Sequence, residues 1–212
     1  GTRFNTGEAW TDAHLARGLQ RYAAKQYREA LADFDVALKF PANLRATPIL
    51  GANPRQGEIT YWTACAHEAL GQHEQARREW TEVAGATDAA PAGGRGGGRG
   101  GFGNQVSTRG VQRYYQALAL RQLGQPEKAE PILRELLASG AAALKQADAP
   151  EAGPGFGGRQ AQTPRSRSAS AHYVAGLGYS GLGEKEKARA EFSAALASSP
   201  DLLGAELALA RL

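Results

Sequence analysis

One short pattern recurs four times along the chain, and it limits the fold more than any other feature. The segments YAAKQYREALADFDVAL, HEALGQHEQARREWTEVA, RQLGQPEKAEPILRELL and YSGLGEKEKARAEFSAAL line up residue by residue. Each has an alanine at one point (Ala30, Ala76, Ala129, Ala188) and, four residues on, a large apolar side chain (Phe34, Trp80, Leu133, Phe192). Three further on comes a small or aliphatic residue (Ala37, Val83, Leu136, Ala195), and twelve before the alanine a small one (Gly18, Ala64, Ala117, Gly176). Spacings of three and four residues mark one face of a helix. A small residue on a preceding helix lets that face approach, and the alanine and bulky residue fill the groove between them.

The pattern G…A-x3-F-x2-A resembles the tetratricopeptide repeat, a pair of antiparallel helices. It predicts an all-α, tetratricopeptide-like α-solenoid of four helix-turn-helix pairs, at about residues 11–40, 58–84, 111–139 and 170–199, with a capping helix over 201–212. Leu70-Gly71, Leu123-Gly124 and Leu182-Gly183 supply the glycine expected where a first helix stops. Glu74, Glu127, Glu184 and Glu186 fall where they meet the positive end of the next helix. Pro200 ends the last pair. Pro131 predicts a late start or a bend in its helix. The motif's early Trp and Leu are replaced by His14 and Arg17, Thr60 and Thr63, Arg113 and Gln116, and His172 and Ala175.

Gly176, Gly178 and Gly181 also satisfy G-x-G-x-x-G, the form of a dinucleotide-binding loop. That fingerprint needs a strand before its first glycine, whereas SASAHYVA reads as the start of a helix. A phosphate loop needs Lys directly after its last glycine, and Glu184 intervenes before Lys185. The glycines are therefore read as structural, and no cofactor is expected.

The repeated alanines stand 46, 53 and 59 residues apart, so three inserts, at 41–57, 85–109 and 141–169, separate the pairs. A plain array would space them by roughly 34. The inserts, with the adjoining Ser170, carry a net charge of +6 and the rest of the chain −2, which places the basic excess in the Gly/Arg-rich loops. GGRGGGRGGFGN and TPRSRSAS invite an RNA-binding reading through phosphate contacts and stacking. Two Arg-Gly units without a basic helix make a solvated excursion the better reading, and nucleic acid is disfavoured as a partner.

FNTGEAWTDAHLARGLQRYAAKQYREALADFDVALKFPANL, YYQALALRQLGQPEKAEPILRELLASG and HYVAGLGYSGLGEKEKARAEFSAALASSPDLLGA stand here in that order. The arrangement resembles the C-terminal tetratricopeptide region of large bacterial proteins built around the domain of unknown function 5107. The resemblance implies a preceding β-sandwich portion related to carbohydrate-active proteins, a link to glycan metabolism, and catalytic residues outside this chain. The Gly/Arg-rich inserts depart from that family's pattern. A chain opening on Gly and lacking Met is accordingly read as a piece of a larger protein.

The four histidines show no metal-ligand spacing, no catalytic triad stands out, and the single Cys65 reads as a small buried residue. No apolar run approaches the length of a membrane span, so the expectation is a soluble chain, cytoplasmic or periplasmic. One row invites a binding role. Tyr61, Tyr114 and Tyr173 occupy the same point of successive first helices, with Leu15 in that place in the first pair. With Leu19, Tyr22, Leu118 and Leu177 they form the candidate interaction surface, a ladder for a peptide, a partner domain or a sugar. The competing expectation is packing between neighbouring first helices. The leading reading is a non-catalytic module that docks a protein, either its own upstream domain or another chain, with glycan reached through the parent protein. The alternatives are part of a carbohydrate-active enzyme contributing substrate contacts, and RNA binding through the Arg-Gly insert.

Overall fold

The computed structural model describes residues 6–39, 53, 55–86, 102–147 and 163–212. Within them the chain is all helical and free of strands, as the repeat predicts. The elements are α1 (Thr6–Ala23), α2 (Tyr27–Leu38), α3 (Gln56–Ala69), α4 (His73–Gly85), α5 (Phe102–Gln122), α6 (Pro126–Ala147), α7 (Pro164–Leu182), α8 (Lys185–Ser198) and α9 (Leu203–Leu209). The residues divide into two compact units, Gly1–Thr87 with Ala119–Gly124, and Asp88–Leu118 with Gln125–Leu212. The first unit therefore holds α1 to α4 and the last turns of α5. The second holds the rest of α5 and α6 to α9.

Each repeat turns between its helices in the left-handed region, always five residues before the repeated alanine. Gly71, Gly124 and Gly183 have φ of 78°, 75° and 83°. The first repeat puts Lys25 there, at φ 62°, where a side chain is strained. The hydrogen bonds persist regardless of residue type. Gln26 N–H donates to Arg21 O and Lys25 N–H to Tyr22 O, as Glu184 does to Tyr179 and Gly183 to Ser180. These paired bonds satisfy carbonyls that the first helix leaves open.

Packing follows the repeat. Phe34 and Phe192 are fully buried with Ala30, Ala37, Ala188 and Ala195. A Cβ on Gly18 would lie 2.5 Å from Phe34 Cε1, and one on Gly176 2.5 Å from Phe192 Cδ1. The other members of the G-x-G-x-x-G string serve the opposite face of α7. Gly178 lies under Leu137, and Gly181 under Leu133 so closely that no Cβ fits. All three glycines are contact points for α6 and α8 inside a continuous helix, so no phosphate loop exists there.

Two expectations are corrected. Pro131 does not delay α6: the helix runs from Pro126 through Pro131 to Ala147. Pro131 is exposed, so its ring and the carbonyl it leaves without an N–H face away from the core. The regions read as inserts are also shorter than their spacing suggested. α5 begins at Phe102, α6 continues past Ser139 to Ala147, and α7 begins at Pro164, capped by the Thr163 hydroxyl accepting from Ser166 N–H at 3.2 Å. Tight packing explains the extensions. Gly140 on α6 sits where a Cβ would be 2.9 Å from Ala175 Cβ and 3.0 Å from Ala171 O, and Gly110 on α5 lies as closely against Val174 Cγ2. The remainder of those inserts, and most of 41–57, lies outside the described residues.

Candidate interaction surface

The tyrosine row is largely covered by neighbouring elements. Tyr61 and Tyr173 are only 6% and 5% exposed. Each tyrosyl oxygen points at the next element. Tyr61 Oη accepts from Gln122 Nε2 on α5 at 3.4 Å, and Tyr114 Oη lies 3.3 Å from Ser180 Oγ on α7. Tyr173 Oη sits beneath α9, where a Cβ on Gly204 would come within 2.6 Å of it. Leu15, Leu19 and Leu177 are buried as well, while Tyr22, Tyr114 and Leu118 are half-buried. Leu15, Leu19, Tyr61, Tyr173 and Leu177 are thus corrected from docking residues to core. The period of the repeat placed them on the right face, but the neighbouring helix, or the cap, covers that face. Tyr173 and Leu177 join Phe192, Ala188, Ala195 and Ala205 in one cluster, closed by Leu202, Leu209 and Leu212.

Tyr22 belongs to an aromatic cluster in the first unit. Its ring lies 5.4 Å from Tyr27 and 5.2 Å from Trp62, both edge-on, and Trp62 meets Tyr61 in the same way. Burial pushes the Tyr22 hydroxyl up to about 12 and the Cys65 thiol up to about 11, with Cys65 buried as the sequence suggests. A thiol so shifted is a packing residue and a poor nucleophile.

Polar clasps join the helices of each pair, at the replaced consensus position in the first, third and fourth pairs and at His67 in the second. His14 Nδ1 lies 3.4 Å from Asp33 Oδ1, His67 Nδ1 2.8 Å from Glu79 Oε2, and His172 Nδ1 2.8 Å from Glu191 Oε2. In the third pair Arg113 donates to Glu135 at 2.6 Å. The acids of the first, second and fourth pairs all stand three residues after the repeated alanine, a signal visible in the sequence that was not read. Asp33 is the most developed. It is 2% exposed and accepts from Arg17 at 2.5 Å and from Arg21 at 2.8 Å. Burial pushes its carboxyl up, but hydrogen bonds from Arg17 and His14 and the charges of Arg17 and Arg21 outweigh this, leaving it below the ordinary carboxylate value. A second buried acid, Glu58, meets Arg55 at 2.9 Å, and Arg55 reaches Asp12 at 2.6 Å.

Among the described residues no group of three or more His, Cys, Asp and Glu side chains could hold a metal ion. No helix among them is long and apolar enough to cross a membrane. Two tetratricopeptide repeat families match the chain, one over residues 113–139, the second half of α5 with the first part of α6, and one over 169–202, most of α7 with α8. No curated protein and no solved structure matches it.

Proposed function

We propose that this chain is a non-catalytic protein-interaction module, a scaffold of tetratricopeptide-like helix pairs. The observation that carries the reading is the coincidence of the two repeat matches with the α5–α6 and α7–α8 pairs. Such repeats generally mediate protein–protein contact, and the polar groups of their interiors here are spent on helix-to-helix clasps. With five of the eight ladder residues buried, this reading turns to exposed helix positions for the contacts. The finer reading rests on the sequence resemblance alone: a C-terminal module of a large bacterial protein of the domain of unknown function 5107 family, linked to glycan metabolism. In it the upstream portion of that protein is the natural first partner.

The test places a photo-crosslinking residue at exposed positions, Arg28 on α2, Arg78 on α4 and Arg165 on α7. The expected result is one protein recovered from a subset of these positions that then binds the purified chain. Recovery of no protein that binds the purified chain would overturn the reading.

A further inference from the structure

The repeat continues past α8. The family match over the fourth pair closes at residue 202, and α9 opens at Leu203, where a fifth repeat would begin. The ladder position Tyr173 and the small position Gly176 are followed 34 residues on, the length of one plain repeat, by Leu207 and Ala210. The packing agrees. α9 lies on α8 and touches α7, in the way that α3 lies on α2 and touches α1. Its inner face, Ala205, Ala208 and Leu209, closes the cluster around Phe192. α9 therefore stands as a first helix stands, but its second-helix face is uncovered. Gly18, Ala64, Ala117 and Gly176 are all buried, whereas Ala210, in helical conformation at the C-cap of α9, is exposed. Four residues before the small position lie the clasp residues His14, Arg113 and His172, and on α9 that place belongs to Glu206, also exposed.

We propose that this face of α9 docks an amphipathic helix of a partner protein, in the place that the second helix takes within each pair. The site rests on the protein-interaction reading and adds the location and the partner's chemistry. Continuity with the existing interface sets the apolar part. Phe34 lies on Gly18 and Phe192 on Gly176, so the partner helix needs an alanine and, four residues on, a large apolar side chain to lie on Ala210. Charge sets the polar part. In the first and fourth pairs the residue three after the alanine, Asp33 or Glu191, faces the clasp histidine. Opposite Glu206 the same place on the partner calls for Lys or Arg, since complementary charge selects partners and fixes register. The cations of this end stand elsewhere: Lys185 Nζ donates to the Leu212 carbonyl at 2.7 Å, and Arg211 follows the small position, where the other repeats have Leu19, Cys65, Leu118 and Leu177. A second copy of this chain fits less well. Its α2, α4 and α8 would set Asp33, Glu79 and Glu191 against Glu206, and its α6 the uncharged Ile132.

The test uses the full chain and fluorescence anisotropy with a labelled peptide of residues 184–199 carrying Glu191→Arg. A covalent bridge between positions 189 and 193, both exposed in α8, holds it helical. The same bridged peptide with Glu191 retained is the control. In the chain, Ala210→Gln and Glu206→Arg each change an exposed side chain, and circular dichroism checks that the helices persist. The expected result is saturable binding of the Glu191→Arg peptide that weakens roughly tenfold in Ala210→Gln, where the larger side chain fills the seat of the phenylalanine. Glu206→Arg should weaken it about threefold and bind the Glu191 control better than the original chain does. No binding, binding unchanged in Ala210→Gln, or the same peptide preference in Glu206→Arg would each overturn the proposal. Self-association of the chain in sedimentation, abolished by Ala210→Gln, would assign the face to a second copy and overturn it as well. A crosslinked protein partner that binds Ala210→Gln as tightly as the original would overturn it while leaving the interaction reading intact.

Discussion

The two units are built on one repeat and stabilised by different means. Both seat a glycine of the first helix against a phenylalanine of the second, Gly18 on Phe34 and Gly176 on Phe192. Beyond that contact they part. The first unit buries two carboxylates, Asp33 and Glu58, each held by arginine, and packs four aromatic rings edge to face. The second buries no carboxylate among its described residues and brings helices together at Gly110, Gly140, Gly178, Gly181 and Gly204. A repeat thus fixes one contact per pair and leaves the rest of the interface to be solved locally. One solution depends on charge and so on pH. The other depends on the absence of a side chain and so on volume.

The shared contact should give the largest effect and the least contrast. Phe34→Ala and Phe192→Ala each truncate a fully buried aromatic ring and should cost about 3–5 kcal/mol, read from chemical denaturation. A loss under about 1 kcal/mol in either would mean that the glycine–phenylalanine contact is not the common core of the two units.

Charge should then separate them. Asp33→Asn removes the buried charge that Arg17 and Arg21 share, replaces one acceptor oxygen with a donor, and should cost about 2 kcal/mol. That is less than for a fully buried pair, because both arginines are partly exposed. The pH dependence has a definite sign. The Asp33 carboxyl is held below its unfolded value of about 3.9, so its contribution is complete above that pH and is lost as pH falls through the lower folded value. Asp12 acts in the opposite sense. Burial raises its carboxyl, with Arg55 opposing and Glu58 adding, so its ionised form destabilises the unit, and protonation in acid relieves this. Stability measured in wild type and Asp33→Asn should converge below about pH 4, and a constant gap down to pH 2 would contradict the assignment.

Volume supplies the reciprocal test. Gly140→Ala places a methyl against Ala175 Cβ and the Ala171 carbonyl, which is backbone and cannot rotate away. It should cost about 1–3 kcal/mol at every pH. Ala64, the small residue of the second pair, already carries the methyl that Gly18 lacks, so Ala64→Gly in the first unit should cost only about 1 kcal/mol of helix propensity. An unchanged melting temperature in Gly140→Ala would show that the α6–α7 approach is looser than the glycines imply.

The smallest effect should be a gain. Lys25 occupies the left-handed turn that glycine fills in the other three repeats. Lys25→Gly should stabilise the first unit by about 1 kcal/mol by removing the Cβ clash at that φ. Destabilisation would mean that the Lys25 side chain makes a contact worth more than the strain.

What the sequence determined by itself is the set of helix pairs, because the alanine, the bulky residue and the small residue at spacings of four and twelve encode a local interface within one pair. The turn positions followed from the glycines at Gly71, Gly124 and Gly183, and only Lys25 hid its turn behind an ordinary side chain. The acids Asp33, Glu79 and Glu191 were equally legible, each three residues after its alanine, and went unread because a polar clasp carries no apolar period. The tertiary structure alone decided the fate of the tyrosine row, since a half-apolar side chain is exposed or buried according to the next helix in space. Gln122, Ser180 and Gly204 made that choice for Tyr61, Tyr114 and Tyr173. It also placed Arg109, Lys145, Arg165 and Arg167 on helices rather than in loops. Stretches such as SGAAALKQA and PRSRSAS have no amphipathic signature, and their helices are fixed by close approach at Gly140 and Ala171, a contact between residues far apart in the chain.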